Sequence, residues 1–308
     1  MGICMKKVKI NFCDQWDGFV PTESDEFHML QKHYEVELSN SPDFVFCGSN
    51  LKWECMKYDC VRILITNENR IPDFNVYDFG ASSSYLDFGE RYFRKPVNFV
   101  SRKILNRSTD VTLVHRKFCN FIYNNQRFPG TKIRNDFCLA LQAYKPVDCP
   151  GRVLHNIDCP DLEPRNGNWK NSKQQFLTKY KFTIAFENSS SPGYTTEKLV
   201  QPMYALSIPI YWGNPIVSKE FNTKAFINCA DYDNDFSRVI ERVKELDNDD
   251  EQYLEMISQC PVVDDFDFDL RDKYDAWLCH IIDRGNIPFD KGYMYDFYER
   301  FLNHARNE

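Results

Sequence analysis

The sequence predicts an α/β protein made of two Rossmann-like domains facing a cleft, with a C-terminal helix returning to the N-terminal domain. Three observations predict it. Strand-like and helix-like segments alternate in two separate series. The length, 308 residues, suits two ordinary domains. The last segment carries an apolar helical face. Hydrophobic residues make up 43% and charged residues 27%, the balance of a globular chain. With 25 Phe and 17 Tyr, there are enough large aromatics to fill two cores. The expected divisions are 1–113, 114–288 and 289–308.

In the first series, "KKVKINF" (6–12), "YEVEL" (34–38), "DFVFCGS" (43–49) and "CVRILIT" (60–66) read as strands. The helix-capable "TESDEFHMLQKHY" (22–34) lies between the first two. Residues 76–96 read as loop-rich, ending at Pro96. In the second series "KFCNFIYNN" (117–125) is a strand and "IRNDFCLALQAY" (133–144) has apolar residues at helical spacing. "GRVLHNI" (151–157) follows, then a Pro- and Asn-rich linker and the helical "KQQFLTKY". "KFTIAF" (181–186) is a strand, "TTEKLVQPMYAL" a helix that Pro202 should kink, and "IPIYWGNP" (208–215) the next strand. Helices are expected over 235–246 and "DEQYLEMISQC". The final "YMYDFYERFLNHAR" puts Met294, Phe297 and Phe301 on one face, expected to pack on the N-terminal domain.

A net charge of −7 argues against a broad nucleic-acid surface. No apolar run reaches the length of a membrane-spanning helix. Twelve Cys without a C-x-x-C read as reduced, mostly buried thiols. The expected location is the cytoplasm, or the periphery of the inner membrane. The six His show no zinc-like spacing with Cys.

The stretch most informative about chemistry is "FENSSSPGYTTEKL" (186–199), at the carboxyl end of a strand, where ligands of open α/β sheets bind. Pro192 and Gly193 make a turn, and Thr195 or Thr196 caps the following helix. Free N–H groups there suit an anion. Lys198 would place a charge on a phosphate, and Glu197 would accept from ribose hydroxyls. Read alone, the same residues also describe a capped surface helix with a solvated Glu–Lys pair. No G-x-G-x-x-G or Walker lysine is present.

"KYKFTIAFENSSSPGYTTEKLVQPMYALSIPIYWGNP" (179–215) resembles the donor motif of the α1,3/4-fucosyltransferases, glycosyltransferase family 10, most closely the bacterial members. The elements F-E-N, G-Y-x-T-E-K and I-P-I-Y-W-G-x-P occur in order. Weaker similarity runs from "ILITNENRIPDFN" (63–75) through "YLDFGERYFRKP" and "IRNDFCLAL" to about residue 260. The resemblance implies a GT-B fold and inverting transfer of L-fucose from GDP-fucose to a hydroxyl of a GlcNAc-containing, N-acetyllactosamine or Lewis-type glycan, α1,3 first. It implies no cofactor and no metal ligand. It also implies Glu68 as general base, and Arg134, Glu187, Asn188, Tyr194, Glu197 and Lys198 as donor-binding residues. The partners expected are GDP-fucose and an oligosaccharide acceptor, with no nucleic acid and no stable membrane span.

Two other readings compete. One is a metal-dependent transferase using a D-x-D pair, Asp231 with Asp233 or Asp265 with Asp267. The other is a carbohydrate-binding protein with a decayed site, its sugars stacked on Tyr85, Tyr92 or Trp212.

Overall fold

A computed structural model describes residues 5–50, 52–108, 110–127, 130–163 and 167–290. The chain forms two compact units. One holds the residues up to Val97 and those from Asp269 on; the other is Asn98–Phe268.

The first unit is built on a sheet of six parallel strands, in the order β2-β1-β3-β4-β5-β6. β1 (Lys7–Cys13) leads through helix α1 (Asp25–Gln31) to β2 (Glu35–Leu38), β3 (Phe44–Cys47) and β4 (Val61–Ile65). Ser24 caps α1 by accepting from the Phe27 N–H, and Phe27, Met29 and Leu30 form its buried face. β5 (Phe79–Ser82) and β6 (Tyr92–Arg94) complete the sheet, inside the stretch expected to be loop. Their sequences, FGAS and YFR, are too short to show a period. β5 pairs with β4 and β6 with β5, both in parallel register, and that pairing makes them strands, a tertiary effect.

The second unit has five parallel strands in the order β11-β10-β9-β7-β8. Its elements run β7 (Lys117–Asn120), α2 (Gly130–Gln142), β8 (Val147–Asp148), α3 (Trp169–Leu177), β9 (Tyr180–Phe186), α4 (Glu197–Tyr204), β10 (Ile208–Trp212), β11 (Ile227–Asn228), α5 (Phe236–Asn248) and α6 (Asp250–Ser258). All seven residues of β9 are buried, which explains its unbroken apolar run. Helix α2 packs Phe137 against Phe186 with ring centroids 4.9 Å apart. Residues 151–157 hold no strand, and β7 pairs on its outer side with Val147–Asp148.

Helix α7 (Leu270–Arg284) belongs to the first unit. The Trp277 indole N–H donates to the Glu90 carbonyl, and Tyr274 and Trp277 pack on Phe93 of β6. The boundaries therefore differ from the expected 113/114 and 288/289. Residues 98–113 join the second unit because Ile104 is buried beside Leu199, Val200 and Met203 of α4. Arg107 also donates to the Met203 and Ile257 carbonyls. The return begins at α7, ahead of the expected last helix. That expected helix, 293–306 with Met294, Phe297 and Phe301, lies outside the described residues.

Candidate functional site

In the second unit, strand order reverses between β7 and β9, the switch point where open parallel sheets leave a crevice at their carboxyl ends. The chain leaving β9 reads Glu187-Asn188, and α2 and α4 begin at the same edge. Gly130 opens α2 against this chain. Its N–H donates to the Asn188 carbonyl, and a Cβ there would lie 2.8 Å from the Glu187 and Asn188 carbonyl oxygens.

Glu187 is fully buried. Its carboxylate accepts from the Thr196 N–H at 2.7 Å, the Thr196 hydroxyl at 2.7 Å and Lys198 Nζ at 3.3 Å. Thr196 is the N-cap of α4, its oxygen accepting from the Lys198 N–H. Lys198 Nζ also donates to the Thr196 oxygen at 3.0 Å and lies 3.5 Å from Glu197. Burial pushes the Lys198 ammonium down, but Glu187 and Glu197 outweigh it and hold it above the ordinary lysine value. Burial pushes the Glu187 carboxyl up, against the pull of Lys198. Glu197 is half-buried. Burial raises it, yet Lys198 and Lys173 bring it down to about 2.

Arg134, on α2, is 1% exposed. Its guanidinium stacks 4.2 Å above the Tyr123 ring and donates to Asn188 Oδ1 at 3.1 Å and to the Asn125 carbonyl. Its Nε is buried without a hydrogen-bond partner, and it meets no carboxylate among the described residues. Burial lowers its pKa, so the charge sits in a place that disfavours it. Other buried polar atoms in this unit also lack partners, among them Asn120 Oδ1 at the end of β7 and Thr131 Oγ1 in the first turn of α2.

The turn before α4 is closed by Asn214. Its Oδ1 accepts from the Gly193 N–H at 3.0 Å, and its Nδ2 donates to Thr195 at 3.0 Å. Gly193 has φ +88, a conformation glycine adopts without strain. Tyr194 is buried in this turn. The structure thus brings Arg134, Glu187, Asn188, Tyr194, Glu197 and Lys198 to one edge. Tyr123, Asn120, Thr131 and Asn214 were not singled out in the sequence. Asn214 stood inside the quoted "YWGNP", so its signal was present; the others emerge only from folding.

Glu68 lies in the first unit, three residues after β4, at the carboxyl edge of that sheet. Its N–H donates to Thr66 Oγ1 at 3.0 Å. Its exposed carboxylate has no hydrogen bond or ion pair among the described residues. The acids of the segment between β5 and β6 have partners. Asp87 accepts from the Gly89 N–H at 3.2 Å, and Glu90 pairs with His280 at 3.0 Å. Of the D-x-D candidates, Asp231 accepts from Asn228 and Asp233 pairs with Arg238. Tyr92 is buried with its hydroxyl at Ser82, Trp212 packs beside Phe186, and Tyr85 lies under Arg94 at the rim.

Residues 10–100 match the α-(1,3)-fucosyltransferase FucT N-terminal domain, and residues 115–260 match the C-terminal region of glycosyltransferase family 10 (fucosyltransferase). The chain belongs to glycosyltransferase family 10. The α-(1,3)-fucosyltransferase FucT of Helicobacter pylori is 30% identical over 283 residues, covering 77% of this chain and 56% of that protein. The chain thus spans about half the length of this family 10 relative. A crystal structure of an α1,3-fucosyltransferase superposes with a TM-score of 0.74 at 26% identity, covering 94% of this chain and 93% of that one. One with GDP-fucose gives 0.69 at 26% identity, covering 90% and 92%. The two parallel-sheet units are those of a GT-B family member.

Proposed function

We propose that the protein transfers L-fucose from GDP-fucose, with inversion, to a hydroxyl of a GlcNAc-containing, N-acetyllactosamine-type glycan, making an α1,3 linkage. The observation that carries this reading is Arg134: a fully buried cation with an unpartnered Nε at the switch point of the second unit, where the Tyr123 hydroxyl feels both its charge and that of Lys198. Such a charge calls for an anion, and a nucleotide diphosphate fits it.

In this reading Arg134 and Lys198 take the diphosphate, and charge grows on it as the fucosyl C1–O bond breaks. Glu187 does not bind the nucleotide. It orients Lys198 and, with Glu197, keeps the ammonium charged at working pH. Glu197, half-buried and ionised, accepts from the ribose hydroxyls. Glu68 takes the acceptor proton as the hydroxyl oxygen attacks C1, its carboxylate being free of the partners that occupy Asp87 and Glu90. The chemistry uses no metal, because the two cations and the N-terminus of α4 stabilise the leaving group. The cytoplasm suits the eleven described cysteines, all free thiols.

The test is an acceptor panel with GDP-fucose, the product linkage and anomer read by NMR. An α-linked fucose on O3 of GlcNAc supports the reading. Release of GDP with no fucosylated product on any lactosamine acceptor overturns it.

A further inference from the structure

We infer that His33, Asp275 and Cys279 form a zinc-binding site that clamps α7 to the chain leaving α1. His33 Nε2, an Asp275 carboxylate oxygen and Cys279 Sγ all lie within 4.8 Å of one another. His33 Nε2 and Asp275 Oδ1 are 3.4 Å apart. That matches the edge of a tetrahedron with metal–ligand bonds of about 2.0–2.1 Å. Asp275 Oδ1 is buried and accepts no hydrogen bond, so a lone pair points into the group unused.

The surroundings set the ligands in place. Asp275 and Cys279 stand four residues apart on α7 and share one face. The Tyr34 hydroxyl donates to the Cys279 carbonyl at 3.3 Å, tying the chain after His33 to the same turn of helix. Lys32 Nζ sits 3.3 Å from Asp275 Oδ2 and occupies that oxygen, leaving Oδ1 for one metal bond. One thiolate, one imidazole and one carboxylate suit zinc rather than the hard cations magnesium and calcium. Water takes the fourth position, since His33 is exposed. On binding, the Cys279 thiol loses its proton to solvent and the imidazole binds neutral. The site is independent of the proposed transfer chemistry, which uses none of these residues. It escaped the sequence because its ligands lie some 240 positions apart and meet only when α7 packs on α1.

Metal-free protein titrated with one equivalent of Co²⁺ should develop visible tetrahedral bands and a thiolate-to-cobalt charge-transfer band, both displaced by Zn²⁺. Cys279→Ser should lose the charge-transfer band, and His33→Gln should weaken binding at least tenfold. Zn²⁺ should raise the melting temperature of the wild type by several degrees and that of Cys279→Ser not at all. Both variants change partly exposed side chains, and far-UV circular dichroism with retained fucosyl transfer shows that they fold. No cobalt–thiolate band at stoichiometric metal, or one that persists in Cys279→Ser, overturns the site; so does an equal Zn²⁺ shift in wild type and Cys279→Ser.

Discussion

A carboxylate acts as a base only when no cation or N–H has already claimed it. Glu68, at the carboxyl edge of the first sheet, meets that condition; Asp87 and Glu90, between β5 and β6, do not. Glu68→Gln should therefore lower turnover by about 10²–10⁴ while GDP affinity, read by calorimetry, stays near wild type. Near-normal turnover in that variant would move the base elsewhere. Arg134→Ala should weaken GDP binding and lower turnover by about 10²–10³, the usual loss for a preorganised donor. Lys198→Ala is a different case, because it also strands the buried Glu187 charge. It should lose about 3–5 kcal/mol of stability as well as GDP affinity, whereas Arg134→Ala relieves a desolvated charge. Glu197 supplies a pH signature. Its folded pKa, about 2, lies below the ordinary 4.5, so its stabilisation is present above pH 4.5 and fades as pH falls toward 2. Glu197→Gln should be less stable than wild type at pH 7, with the gap in urea midpoint closing across that window. The motif residues from Glu187 to Lys198 were legible because they are contiguous. Arg134 needed the family resemblance, and Tyr123 beneath it needed the fold.

At the scale of elements, the proposed donor site makes the cap of α4 a link between stability and nucleotide binding. Thr196 caps the helix and grips Glu187 with both its N–H and its hydroxyl. Thr196→Ala should cost about 1 kcal/mol as a lost cap and weaken GDP binding through the loosened Glu187–Lys198 pair. Thr196→Ser, which keeps the oxygen, should restore both. Gly213, after β10, is the counterpart on the next strand. A Cβ there would stand 2.4 Å from Glu187 Cγ, so Gly213→Ala should displace the carboxylate and depress GDP affinity, checked by calorimetry beside a thermal melt. The long strands and helices of both series were readable from period and apolar runs. β5, β6 and β11 were not, since two to four residues carry no period and their pairing partners decide them. Helix α7 was missed because its apolar face, Tyr274, Trp277, Leu278 and Ile281, is interleaved with charged residues on the other sides.

For the molecule as a whole, fucosyl transfer should persist in excess chelator, since no step of the proposed chemistry uses a metal. The melting temperature should nonetheless fall as the His33–Asp275–Cys279 site is stripped, so rate and stability separate under one reagent. Two α/β units were legible from the two series of elements. Their borders were not, because Ile104 and Arg107 are drawn to α4 and α6 by contacts that no local pattern announces. The first unit is also interrupted: its sheet is complete by Arg94, but α7 arrives only after the whole of the second unit. On a ribosome adding about 5–20 residues per second, that delay is roughly nine to thirty-five seconds. Throughout it, the aromatic patch on Phe79 and Phe93 that Trp277 will cover stands bare. The nascent chain thus finishes its second unit first and holds its earliest-made unit open, a window in which a chaperone that recognises apolar surface has its substrate. Arresting synthesis before residue 269 should yield a protease-resistant second unit and a labile first one.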